Sequence, residues 1–89
     1  MLFRSDGGSR SGCYALGVAY ADGDGVPRNS SRAAELFSRT CDAGEPRGCF
    51  NLGVSYQTGQ GVRKDLRKAL ELFDRACSGG LQEACDTDL

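Results

Sequence analysis

Apolar residues along this chain recur at helical spacing, and polar and glycine-rich breaks separate the stretches. In Cys49-Phe-Asn-Leu-Gly-Val-Ser-Tyr56, positions 49, 52, 53 and 56 fall on one face. That stripe of Cys, Leu, Gly and Tyr mixes small and large side chains and suits close approach by a second helix. Ala69, Leu70, Leu72, Phe73, Ala76 and Cys77 form a second apolar face. Arg67, Lys68, Glu71, Asp74 and Arg75 fill its polar side, with Glu71 and Arg75 as an i,i+4 pair worth a few tenths of a kcal/mol. Gly23-Asp-Gly25 and Gly59-Gln-Gly61 end helices and make turns, because paired glycines reach positive φ cheaply. Asn29 and Asp65 stand at N-cap positions, and Pro46 sits where a first-turn proline is tolerated. The pattern predicts helices near 9–22, 30–42, 46–58, 66–78 and 81–88. No stretch alternates with period two, so no sheet is expected.

These elements repeat. Cys41 and Cys49 recur 36 residues on as Cys77 and Cys85, and sliding 5–40 over 41–76 without a gap gives 16 identities in 36 positions. A fixed period of that length marks a repeat architecture. The units read as 5–40, 41–76 and a partial 77–89, each a pair of helices. Helices joined by short turns pack as antiparallel hairpins, and hairpins of fixed period stack into a right-handed α-solenoid. The fold class is therefore all-α, an α-solenoid of about two and a half units. The chain begins at the tail of one unit and stops inside another, which fits a piece of a longer solenoid.

Composition narrows function mainly by exclusion. The 89 residues form one small domain with a modest core. Eleven basic and 12 acidic residues leave net charge −1, with no one-sided field for nucleic acid. No apolar run reaches the length of a membrane span. The start, Met1-Leu-Phe-Arg-Ser-Asp-Gly-Gly, lacks the apolar core of a signal peptide. There is no histidine, so the commonest general base and a frequent metal ligand are missing. No cysteine pair has zinc-site spacing, and Asp22-Gly-Asp-Gly25 lacks the closing Glu of a calcium loop. The two lysines, Lys64 and Lys68, have Gly61 and Asp65 three residues before them, so no Ser-x-x-Lys nucleophile exists. No cofactor, metal site or catalytic residue is expected.

Five cysteines at regular spacing favour a disulfide framework and an oxidising compartment over reduced buried thiols. Residues eight apart in one straight helix lie about 12 Å apart, too far for a bridge. Pairing within Cys41/Cys49 and Cys77/Cys85 therefore needs the chain to turn back at Gly44 and Gly79-Gly80. The pairing Cys13–Cys41 with Cys49–Cys77 stays open on spacing alone. Either way one thiol remains.

The run Leu52-Gly53-x-x-Tyr56-x-x-Gly59-x-Gly61-Val62-x-x-Asp65-x-x-x-Ala69, then Ala76-Cys77-x-x-Gly80, resembles the Sel1-like repeat, a relative of the tetratricopeptide repeat. The cysteines eight apart resemble the Helicobacter cysteine-rich subgroup. That resemblance implies bridges Cys41–Cys49 and Cys77–Cys85, a free Cys13 and a periplasmic or secreted location. Ser5 stands where Cys13's partner would be, so the first joint is unstapled and residues 1–12 are expected to be the loosest part of the chain. Asn29 replaces the acidic cap found at Asp65. The resemblance further implies a protein-interaction scaffold that holds a peptide or partner protein on its concave face. Tyr14, Phe50, Asn51, Ser55 and Gln57 are the candidate contacts, with Asn51 foremost because an amide pairs with an extended backbone in both directions. For Tyr14 and Phe50 the plain alternative is packing between repeats. The family is also linked to β-lactam binding and weak β-lactamase activity, for which these residues offer no chemistry. The basic cluster Arg63-Lys64-x-x-Arg67-Lys68 opposes the helix dipole and invites an anionic partner, although a solvated helix start explains it as well.

Overall fold

In the computed structural model, residues 3–86 are described, with side chains from residue 12 onward. Five helices follow one another: α1 (Phe3–Asp22), α2 (Ser30–Asp42), α3 (Pro46–Thr58), α4 (Leu66–Ser78) and α5 (Gln82–Cys85). Each packs mainly on its neighbour in sequence, and the array measures 42 × 29 × 17 Å. No strand occurs among the described residues.

The helix boundaries follow from local chemistry. Asn29 Oδ1 accepts from the Arg32 amide at 3.0 Å, and Asp65 Oδ1 accepts from the Lys68 amide at 3.2 Å. Each cap satisfies a donor that the first helical turn leaves orphaned. Both cap residues also donate backwards, Asn29 N–H to Tyr20 O and Asp65 N–H to Tyr56 O, each at 2.9 Å. These bonds lock the turn of each hairpin. Pro46 opens α3, where its missing N–H costs nothing. Gly61 is held at φ +80°, and a Cβ there would fall on the Ser30 carbonyl of the preceding hairpin. Glycine lets this loop touch the start of α2.

The core runs along the array. Ala33, Phe37 and Cys41 of α2 meet Cys49 and Leu52 of α3, and Leu72 and Ala76 of α4 continue the cluster to Ala84 of α5. Within each hairpin a glycine lets an aromatic ring approach. A Cβ on Gly17 would lie 2.7 Å from Phe37 Cε1, and one on Gly53 would lie 2.7 Å from Phe73 Cε1. Each glycine brings its helix backbone down onto the ring, and the ring fills the space between the two helices.

Several expectations need correction. α1 begins at Phe3 rather than near residue 9, and α5 ends at Cys85 rather than 88. Residues 87–89 lie outside the described residues, as do the side chains of 1–11, on which the expectation about a loose first joint largely falls. Leu70, assigned to the apolar face of α4, is 50% exposed, whereas its counterpart Ala34 is 3% exposed. Ala34 faces Leu52, Tyr56 and Val62 across a full-length neighbour, α3. α4 has only the four-residue α5 beyond it, so Leu70 stays uncovered. Glu71 and Arg75 form no ion pair, although their counterparts Glu35 and Arg39 approach to 3.8 Å. Both residues of each pair are solvent-facing, where Coulomb gain barely offsets side-chain entropy.

Candidate binding groove

α1 and α3 occupy equivalent places in successive hairpins, and a groove of ≈ 340 Å³ opens between them. Tyr14, Val18 and Ala21 line it from α1, and Asn51, Val54 and Ser55 from α3, above a floor that includes the Phe37 ring. Asp22 and Gln60 stand at one end. Apolar walls with a few convergent polar groups are the usual make-up of a ligand site.

Two of the polar groups, Asn51 and Ser55, belong to one stripe of α3. Arg47, Asn51 and Ser55 succeed one another at i,i+4 on α3, so they share a face. Asn51 Nδ2 donates to the Tyr14 hydroxyl at 3.4 Å, a long bond that joins α3 to α1. Ser55 Oγ donates to the Asn51 carbonyl at 3.2 Å. The Tyr14 ring rests against Phe37, centroids 5.9 Å apart, and carries the Arg47 guanidinium 4.5 Å from its centre. Glu45 fixes that guanidinium, with Arg47 Nε donating to Oε2 at 2.8 Å, and the same carboxylate accepts from the Arg47 amide at the start of α3. This hydrogen bond, the carboxylate's charge and the nearby Tyr14 hold Arg47 above the ordinary arginine value. The cation and ring are therefore pre-set before any ligand arrives.

Of the five contacts expected from sequence, Tyr14, Asn51 and Ser55 come together in this groove. Phe50 and Gln57 are not part of its lining. The Phe50 ring packs on Phe73, centroids 5.4 Å apart, and is half-buried. Sequence reasoning missed Arg47, Val18, Val54 and Gln60. The signal for Arg47 was present in the i,i+4 stripe that it begins. Its counterpart in the first unit is Ser11, so the repeat pattern alone does not mark it.

The joints between hairpins are covalent. Cys41 bonds Cys49 across α2 and α3 with Cα atoms 4.5 Å apart, and Cys77 bonds Cys85 across α4 and α5 at 4.7 Å. Gly44 and Gly80, at φ +92° and +103°, turn the chain back at these two joints. Cys13 is a free, half-buried thiol. Both bridges fit an oxidising compartment. No helix among the described residues is long and apolar enough to cross a membrane.

Comparison with known proteins agrees with this geometry. The Sel1 repeat family model matches residues 10–45 and 46–81. Helicobacter pylori cysteine rich protein B is 35% identical with a TM-score of 0.82; the match covers 86% of this chain but 58% of that protein. A Sel1 repeat protein from Oxalobacter formigenes is 26% identical, TM-score 0.83, over 85% of this chain and 31% of that one. A protective antigen of uropathogenic Escherichia coli with an SLR fold is 30% identical, TM-score 0.84, over 90% and 17% respectively. Among curated proteins none matches. The two matched repeats are each 36 residues long, in step with the period of the sequence, and the chain belongs to the Sel1 repeat family.

Proposed function

We propose that this chain is a protein-interaction scaffold and that an extended segment of a partner protein lies in the groove between α1 and α3. The observation that carries this reading is the state of Asn51. Its amide makes one long bond, to Tyr14, so its carbonyl and second N–H can pair with a peptide backbone. Val18 and Val54 flank it and offer apolar seats for alternate side chains. The Arg47–Tyr14 pair at one side and Asp22 at the other give the groove charges of opposite sign near its ends. An extended segment with an acidic residue toward Arg47 suits that polarity. A Sel1 fold is consistent with protein interaction, and the two disulfides support work in a periplasmic or secreted setting.

The test is a peptide-display selection on the oxidised protein, followed by NMR mapping of a selected peptide. The expected result is amide shifts at Tyr14, Asn51, Val54 and Ser55. Asn51→Ala should weaken binding about ten-fold or more, as expected when a buried backbone pairing is lost. The same variant should melt within a degree or two of the parent, because the bond it removes is long and partly exposed. Shifts confined to the outer faces of α2 and α4, or unchanged binding by Asn51→Ala, would overturn the groove assignment. Nitrocefin turnover abolished by Asn51→Ala would replace the scaffold reading with a β-lactam-processing one.

A further inference from the structure

The two ends of the groove differ in how much charge is already matched. At the Arg47 end, Glu45 holds the guanidinium at 2.8 Å, so cation and anion largely cancel. At the other end Asp22 lines the groove, is exposed, and has no ion-pair partner among the described residues. Arg28 and Lys64 sit beside the turn glycines Gly23 and Gly59, but neither lines the groove or pairs with Asp22. The backbone adds negative potential at the same end. α1 and α3 both finish there, α1 at Asp22 and α3 just before Gln60. Neither has a basic residue in its last turn, whereas α2 has Arg39 and α4 has Arg75. Turn amides take the Ala19, Tyr20, Ser55 and Tyr56 carbonyls, and none among the described residues reaches those of Ala21, Asp22, Gln57 and Thr58. Free carbonyls at a helix C-terminus carry the negative end of its dipole and favour a cation.

We propose that the segment bound in the groove, on the reading given above, carries a lysine or arginine whose charge sits at this end, and that Asp22 selects it. The Asp22 carboxylate offers the opposite charge, and the Gln60 side-chain carbonyl and the free helix-end carbonyls offer further acceptors. A cationic head group has donors only and needs several such partners. Val18 and Ala21 of the same lining cover its aliphatic stem. The helix sets the spacing. Asn51 lies seven residues from the end of α3 at Thr58, about 10 Å at about 1.5 Å per residue. An extended chain covers that distance in about three residues at about 3.3 Å each. The cation therefore lies about three residues from the position paired with Asn51. An acidic residue in that place would meet Asp22 and two helix ends of its own sign, so the groove discriminates against it.

Peptide display on the oxidised protein should return segments with Lys or Arg at one fixed position, about three residues from the one whose backbone contacts Asn51 in NMR. A selected peptide and its norleucine counterpart at that position are then titrated by fluorescence anisotropy against the parent and Asp22→Asn. The variant should weaken the cationic peptide about five-fold, the scale of a single partly exposed ion pair, and the loss should shrink at high salt. The norleucine peptide should bind parent and variant alike, which also shows that the variant is folded. A glutamate peptide should prefer Asp22→Lys to the parent. Peptides that shift the Asn51 and Ser55 amides yet show no basic preference would overturn the seat and leave the groove standing, as would equal losses of both peptides in Asp22→Asn. Peptides that map to the outer faces of α2 and α4 would overturn both.

Discussion

Gly48 and Thr40 make the sharpest test of how the joints are packed. Thr40 is buried, and its hydroxyl donates to Phe37 O at 3.0 Å. A Cβ on Gly48 would fall on Thr40 Oγ1, 2.9 Å from Thr40 Cβ and 2.8 Å from the Cys41 amide nitrogen. Thirty-six residues on, the same two places hold Ala76 and Ala84, 0% and 5% exposed. The joint thus accepts Thr with Gly, or Ala with Ala. Gly48→Ala alone gains about 1 kcal/mol of helix propensity but overpacks a site with backbone on one side, costing roughly 1–3 kcal/mol. Thr40→Ala alone loses a buried methyl and a buried hydroxyl bond, about 1–2 kcal/mol. In the double variant the clash with Oγ1 disappears and the propensity gain remains. The double variant should therefore be more stable than the sum of the single variants by about 1–2 kcal/mol, read by urea unfolding with the disulfides intact. Additivity within about 0.5 kcal/mol, the usual figure for independent sites, would refute the packing argument.

Other outcomes follow from the same contacts. Cys41→Ser with Cys49→Ser should cost about 2.5 kcal/mol on the chain-entropy estimate for a nine-residue loop, and the corresponding change at Cys77 and Cys85 should cost less, because only α5 depends on it; equal losses in urea titrations would contradict this. Gly17→Ala and Gly53→Ala each bring a methyl against a phenyl ring at 2.7 Å, so each should destabilise by about 1–3 kcal/mol; a stabilised variant in thermal melts would show that the rings yield freely. Asn29→Ala and Asp65→Ala should each cost about 1 kcal/mol through the lost cap, and calorimetry showing no change would mean that the backward bonds to Tyr20 and Tyr56 hold the turns alone.

The scaffold was legible in the sequence because the repeat supplies internal controls. The caps at Asn29 and Asp65, the turning glycines and the ring at Phe73 all fall where periodicity and turn chemistry place them. What sequence missed depends on neighbours rather than on the segment itself. Leu70 has the right spacing for a core position, but spacing says nothing about whether a full helix lies beyond it. Cation–ring stacking was also hidden: Arg32 over Tyr20 at 5.7 Å and Lys68 over Tyr56 at 5.8 Å join residues twelve apart, beyond any helical periodicity. The Lys68 contact gives part of the basic cluster at the start of α4 a structural use, since the ring face offsets the unfavourable helix end.

Residues that hold the array together keep the 36-residue register, and the polar residues at the groove break it. Gly17 and Gly53, Phe37 and Phe73, Val18 and Val54 are paired by the repeat, as packing requires. At the groove, Asn51 answers to Ala15, Ser55 to Ala19, Arg47 to Ser11 and Gln60 to Asp24. Alanine in those places of α1 is evidently sufficient for the helix, and it is the better helix former. Stability therefore gives no reason for Asn51 and Ser55. Their polarity costs propensity and returns a long hydrogen bond to Tyr14 and one from Ser55 Oγ to the Asn51 carbonyl within the same helix. Changing both to Ala would give α3 the alanines that α1 carries at those two places. If the repeat sets the fold and its exceptions set the task, that variant keeps the parent's stability to within about 0.5 kcal/mol, the usual range for sites away from core packing, and loses the partner.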